Sequence, residues 1–223
     1  LPEPVVKVLP GFAFDKRMKG GGRYRRVLTD GSLGQMVSAE TITNQSKELA
    51  DAVADKLAKL AADAVNGDIS PQAFFEAAQA ELRNSYNAFA SLGKGGWSQM
   101  DAQTWGRNGG ILQSEYAKLR DFAKAVENGE VTEAQAQARA RMYGGKAYSR
   151  FTGEDARLKR NSGEYTEERW GPTAGDDRVC EDCAAFEAMG WQPIGTFPAP
   201  GDGHTRCMGA CRCPPLSFKW SFK

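Results

Sequence analysis

From Ser38 onward the apolar residues recur every three or four positions, the period of a helix with one buried face. Leu49, Val53, Leu57, Leu60 and Ala64 form the first stripe, and Gly67 supplies a left-handed stop. Ser70 as N-cap and Pro71 at the first helical position then open a second helix. Its face is Phe74, Phe75, Ala78, Leu82, Tyr86 and Phe89, and it runs out in Gly93-Lys94-Gly95-Gly96. Ser98-x2-Asp101 imitates a capping box for a third stretch. Gly106, Gly109 and Gly110 predict a kink or short break before Ile111, Tyr116, Leu119, Phe122, Ala123 and Val126 resume the stripe as far as Gly129. Thr132-x2-Gln135 is a full capping box for a fourth helix. That helix continues through Met142 and Tyr143 towards Phe151, with Gly144-Gly145 weakening its middle.

The two short joints resemble each other. Ala64-Val65-Asn66-Gly67-Asp68-Ile69-Ser70 and Ala125-Val126-Glu127-Asn128-Gly129-Glu130-Val131-Thr132 share a helix stop, an acid, a β-branched residue and a hydroxyl cap. The same tight connection used twice implies two antiparallel αα-hairpins, and convergent turn chemistry accounts for the likeness.

The flanks follow other rules. Pro2, Pro4 and Pro10 keep the opening extended, and Gly20-Gly21-Gly22 makes a joint. Arg23–Leu28 reads as a strand, turned at Asp30-Gly31 into Leu33–Val37. Such an arm gains order mainly by binding, so it is expected to reach a neighbouring chain. Residues 152–178 are polar and rich in Gly, Glu and Arg, as a linker would be. Beyond them Trp191, Ile194 and Phe197 are expected to pack over the last module. The predicted architecture is mainly α: an antiparallel helical bundle over 38–151, an extended or hairpin N-terminal arm over 1–37, a linker, and a small zinc-knuckle-like module over 179–223.

Composition narrows the functions. Of 223 residues, 41% are hydrophobic, enough for an ordinary core, and net charge is +1, so the whole chain carries no footprint for nucleic acid or acidic membranes. No run approaches the roughly 18 apolar residues of a membrane span, and no n-region and h-region of a signal peptide can be read; the opening Leu1 suits a processed or truncated form. Charge is nonetheless uneven. Lys16, Arg17, Lys19, Arg23, Arg25 and Arg26 fall within eleven residues, opposed only by Asp15. They are candidates for contact with nucleic acid or an acidic protein surface, against the plainer reading of a solvated arm.

The chemistry lies at the other end. All five cysteines and the only histidine occur as Cys180-x2-Cys183, then His204-x2-Cys207-x3-Cys211-x-Cys213. Two knuckles about twenty residues apart have the spacing of a closed, tetrahedral zinc site. Cys180 and Cys183 have no nearby substitutes. Cys207 and Cys211 are favoured with them, because a three-residue spacer lets one turn aim both sulfurs inward. Cys213 and His204 are the reserve ligands. Disulfides and buried thiols are the competing readings, although an odd cysteine count would leave a disulfide framework with one thiol over. Enzyme constellations are missing: the sole histidine sits beside the thiols, four thiolates leave no open position for water, and no H-x-E deaminase motif or Walker loop occurs. The expectation is a structural or binding protein, not an enzyme.

Asp177-Arg178-Val179-Cys180-Glu181-Asp182-Cys183, Gly190-Trp191-x-Pro193-Ile194-Gly195 and Pro200-Gly201-Asp202-Gly203…Cys207-x3-Cys211-Arg212-Cys213 resemble the C-terminal region of tailed-phage minor head proteins, the head-morphogenesis family related to the phage Mu F protein. Arg23-Tyr24-Arg25, Trp105-Gly106-Arg107 and Tyr116-x2-Leu119-x2-Phe122-Ala123 extend the likeness over most of the chain, though only the cysteine-rich end is specific. The family's usual His-Pro-x-Cys-Arg-Cys is spread out here, which favours thiolates over His204. The resemblance implies a virion component in few copies around the portal vertex, acting in head morphogenesis. Its expected partners are portal or capsid proteins and packaged DNA, without a membrane. It would be found in the virion, and in host cytoplasm during assembly. A neck or connector protein and a zinc-knuckle nucleic-acid binder are the alternatives.

Overall fold

Four polar caps cut the helical region into its elements. In the computed structural model, which describes residues 12–15, 23–171, 179–206 and 215–220, helix α1 spans Ala39–Val65 and α2 spans Pro71–Lys94. Helix α3 spans Ala102–Glu127 and α4 spans Glu133–Arg160. The side chains of Ser38 and Ser70 accept the Thr41 and Ala73 N–H groups. Thr132 and Gln135 form the reciprocal capping box expected of them. The twin joints close alike. Asp68 N–H donates to Asp63 O and Glu130 N–H to Ala125 O, with Gly67 and Gly129 at φ 81° and 68° making the left-handed turn.

Phe74, Leu82, Tyr86 and Phe89 of α2 supply the bulk of the bundle core, packed against Ile42 and Leu57 of α1 and Leu119 and Phe122 of α3. Phe74 and Phe122 meet edge to face at 5.3 Å. Helix α4 brings Ala136, Ala140 and Ala147 between the larger Tyr143, Tyr148 and Phe151, and its backbone comes close to α1. Gly144 lies at the crossing: a Cβ there would sit 2.5 Å from Ala54 Cβ and 2.6 Å from Ala50 O. The glycine expected to weaken the helix is what lets two helices approach.

Three local expectations fail. Ser98 belongs to a 3-10 turn, Trp97–Gln99, and Asp101 caps α3 itself by accepting the Thr104 N–H. Helix α3 passes through Gly106, Gly109 and Gly110 unbroken. These glycines are exposed, while Thr104, Asn108 and Leu112 hold the opposite face in the interior. Helix α4 does not end near Phe151 but continues to Arg160, and Thr152–Ala156 are buried, so the first part of the expected linker is helix. Its polar composition misled because the charges are paired inside the protein: Glu154 with Arg107 and Arg157, Asp155 with Lys159.

The N-terminal arm forms an antiparallel sheet, β1 (Phe12–Asp15), β2 (Arg23–Val27) and β3 (Leu33–Met36), in that order. Asp30-Gly31 makes the expected turn, with Gly31 at φ 82°. Contrary to the expectation of an arm reaching another chain, this sheet docks on its own bundle. Tyr24 is 5% exposed, its hydroxyl donates to Leu92 O at 2.6 Å, and Phe12 packs against the core. One buried phenol with a satisfied hydroxyl outweighs the loop-like composition around it.

A second lobe covers the end of α4. Strands β4 (Tyr165–Arg169), β5 (Trp191–Pro193) and β6 (Ser217–Trp220) form an antiparallel sheet in the order β5-β4-β6, accompanied by helix α5 (Glu181–Ala188). Trp170, Cys183, Phe197, Leu216 and Ala156 of α4 make its core. Among the described residues the chain is thus mainly helical, with two small antiparallel sheets. Among the described residues no helix is long and apolar enough to cross a membrane.

Candidate functional site

Helix α5 positions the first cysteine pair. Cys180 is its N-cap, with φ −72° and ψ 150°, and its carbonyl accepts the Ala184 N–H at 3.1 Å. A spacing of three on a helix start puts Cys180 and Cys183 on one face. Cys183 is 1% exposed in the lobe core and Cys180 is half-buried against it. Phe186 continues the face one turn on, its ring 5.0 Å from Trp170 and 5.7 Å from Phe197. Glu181 and Asp182 fall in the first turn, where carboxylates complement the helix dipole.

Those two acids hold the start of the second cluster. The Arg206 N–H donates to Asp182 Oδ2 at 2.7 Å, and the Arg206 guanidinium pairs with Glu181. Thr205 is buried and His204 is exposed. The chain entering the second knuckle is therefore fastened to the turn that carries the first. Among the described residues, no three His, Cys, Asp or Glu side chains come together as a metal-binding group. Cys207, Cys211 and Cys213 lie outside the described residues.

The lobe is tied to α4 by buried charge. Glu168 is fully buried and accepts Arg160 Nε at 2.7 Å, Arg160 Nη2 at 3.0 Å and the Phe197 N–H at 3.1 Å. Arg160 Nη2 also donates to Phe197 O at 2.8 Å, so the pair joins helix, strand and loop. With its hydrogen bonds made on both sides, such a pair fixes geometry more than it adds stability. Arg150 donates to Gly201 O and Ser149 Oγ, and burial lowers its guanidinium pKa from the ordinary value. Neither the Glu168–Arg160 pair nor the Asp182–Arg206 bond was visible in the sequence. The acidic first turn after Cys180, Glu181-Asp182, was the hint to the second.

The basic candidates divide. Arg25 is half-buried and donates from Nε to Gly34 O at 2.8 Å, while Arg26 is exposed on the same strand. Arg23 pairs in the β1–β2 ladder opposite Asp15. Lys16, Arg17 and Lys19 lie outside the described residues. The described part of this basic stretch is a strand of a docked sheet, a fixed surface in place of a loose arm. Comparisons with protein-family models, curated proteins and solved structures return no match.

Proposed function

We propose that this chain is a structural component of a tailed-phage virion, a minor head protein acting in head morphogenesis at or near the portal vertex, with a zinc-bound knuckle in its C-terminal lobe. The observation that carries the reading is the bond from Arg206, the residue before Cys207, to the Asp182 turn that bears the first cysteine pair. Cys180 and Cys183 on one face of a helix start suit a pair of thiolate ligands, with Cys207 and Cys211 completing the set and Cys213 and His204 in reserve. Zinc there supplies a rigid crosslink of the kind a small lobe needs, on the order of 10 kcal/mol of folding free energy.

The lobe's own apolar core is small, and a closed thiolate site leaves no position for a reacting water. A scaffolding role therefore suits the site better than catalysis. The partners proposed are portal or capsid proteins of the virion, in contact with packaged DNA. Two measurements test the reading. Elemental analysis with a free-thiol count should give about one zinc per chain for a single four-ligand site. Crosslinking in assembled heads should recover the chain joined to portal protein. Zinc-free protein with its cysteines oxidised, or crosslinks confined to tail components, would overturn it.

A further inference from the structure

The segment between the lobe's aromatic loop and its second knuckle is held at both ends. At one end Arg206 is bonded to Asp182 on α5. At the other, Gly201 and Asp202 are seated on α4. Gly201 O accepts from Arg150, Asp202 pairs with Arg157, and a Cβ on Gly153 would lie 2.6 Å from Pro200 O. A Cβ on Gly201 would in turn lie 2.5 Å from Ser149 Oγ and 2.6 Å from Arg150 Nη2, so the seat admits little adjustment.

From Arg157 the contacts continue inward. Arg157 Nη1 donates to Glu154 Oε1 at 2.8 Å, and Glu154 Oε2 accepts Arg107 Nη2 at 2.9 Å. Glu154 is 6% exposed, so these are sheltered charge pairs rather than surface ones. Arg107 also reaches Thr104 Oγ1 at 3.2 Å, and Thr104 is the residue whose N–H binds the Asp101 cap. Polar contacts, joined across residues 203–205 by the backbone alone, thus lead from the cysteine-bearing turn to the first turns of α3.

We infer that residues 199–206 are a coupling strap, through which the order of the Cys180–Cys183 turn is transmitted to the N-terminal turns of α3. When the turn is secured, Asp182 holds Arg206, the strap stays in its seat, and Asp202 keeps Arg157 and Glu154 aligned on Arg107. When the turn loosens, the strap lifts and α3 loses support at Arg107, a site on a different lobe. Linkage requires the reverse effect as well.

Amide hydrogen exchange on the full chain tests this. Asp182→Ala should speed exchange over 199–206 and, at 105–108, by about fivefold or more, the lower end of ordinary coupling. Ala185→Ser, an exposed change on the same helix, should alter neither. Asp202→Ala should speed exchange at 183–186. Unchanged exchange at 105–108 while 199–206 opens would overturn the coupling, and so would a strap that stays closed in Asp182→Ala. If Asp182→Ala also unprotects α1 and α2, Asp202→Ala decides from the other end: it should speed exchange at 183–186 and at 105–108 with α1 and α2 unchanged, and unchanged exchange at either place would overturn the coupling. Added Zn(II) should slow exchange at 105–108 in the wild type and bind Asp202→Ala without that effect. This arm alone rests on the metal reading: a chain that binds no zinc removes that reading and leaves the substitution arm to decide the strap.

Discussion

Gly144 and Gly145 are neighbours in α4 and should respond to alanine with opposite signs. In a helix interior alanine is favoured over glycine by about 1 kcal/mol. At Gly145 nothing lies within 4 Å of the added Cβ, so Gly145→Ala should collect most of that gain. At Gly144 the added carbon would lie 2.5 Å from Ala54 Cβ, 2.6 Å from Ala50 O and 3.0 Å from Ala54 Cα. Carbon atoms in contact prefer about 3.5–4.0 Å, so α1 and α4 must part by about 1 Å. Two of the three obstructing atoms are backbone, and no side-chain rotation relieves them. Overpacking of this kind costs about 1–3 kcal/mol, occasionally more. The propensity gain offsets part of that, which leaves Gly144→Ala destabilised by up to about 2 kcal/mol and the two variants about 1–3 kcal/mol apart. Urea unfolding followed by far-UV circular dichroism measures the difference directly, since a shift in midpoint without a change in slope reports stability alone. A Gly144→Ala protein as stable as Gly145→Ala would show that the helices do not cross at this glycine.

Other expectations are as direct. Glu168→Ala would strand Arg160 beside the buried lobe core and should destabilise by about 3–5 kcal/mol, with limited proteolysis cutting first in the C-terminal lobe; a change below about 1 kcal/mol would mean that solvent reaches the pair. Burial, with Glu115 nearby, raises the Tyr143 phenol to about 12, whereas an unfolded tyrosine titrates near 10. The folded state thus keeps a proton that the unfolded chain releases, and stability should be full below about pH 10 and fall as pH rises towards 12. Tyr143→Phe should flatten that fall in urea midpoints taken across the window. Cys180→Ser and chelator should each strip zinc and loosen the C-terminal lobe, reductant alone should do neither, and Cys213→Ser should keep its metal. Loss of zinc in Cys213→Ser as complete as in Cys180→Ser would move the fourth ligand to Cys213.

Local signals carried the helical region because they act over a few residues. Ser38, Ser70 and Thr132 satisfy N–H groups three positions ahead, and a cap of that kind is readable in any chain. The repeated Asn-Gly joints, at 66–67 and 128–129, were legible for the same reason. The hairpin at Asp30-Gly31 was too, because its φ requirement belongs to one residue. The cysteine pair showed itself through spacing, which a helix converts into a shared face.

The places where such signals failed are those where a distant residue changes what a local pattern means. Gly106, Gly109 and Gly110 promised a kink or break, but α3 runs on as one helix with Leu112 and Asn108 on its buried face. Residues 152–160 looked like a linker because, beyond the local Glu154–Arg157 and Asp155–Lys159 pairs, their charges gain partners only when Arg107, Asp202 and Glu168 are brought beside them. Tyr24 looked like part of a loose arm until Leu92 offered its carbonyl. By itself, then, the chain's pattern determined where the helices start and that Cys180 and Cys183 can share a turn, since those depend on hydrogen bonds and angles within a few residues. Tertiary structure decided which glycine is indispensable, where the basic strand is docked and how the cysteine lobe is fastened to α4. Apart from the Arg160–Glu168 pair, eight residues apart, these rest on groups that are dozens of residues apart in sequence and come within hydrogen-bonding or van der Waals reach only once the bundle has closed.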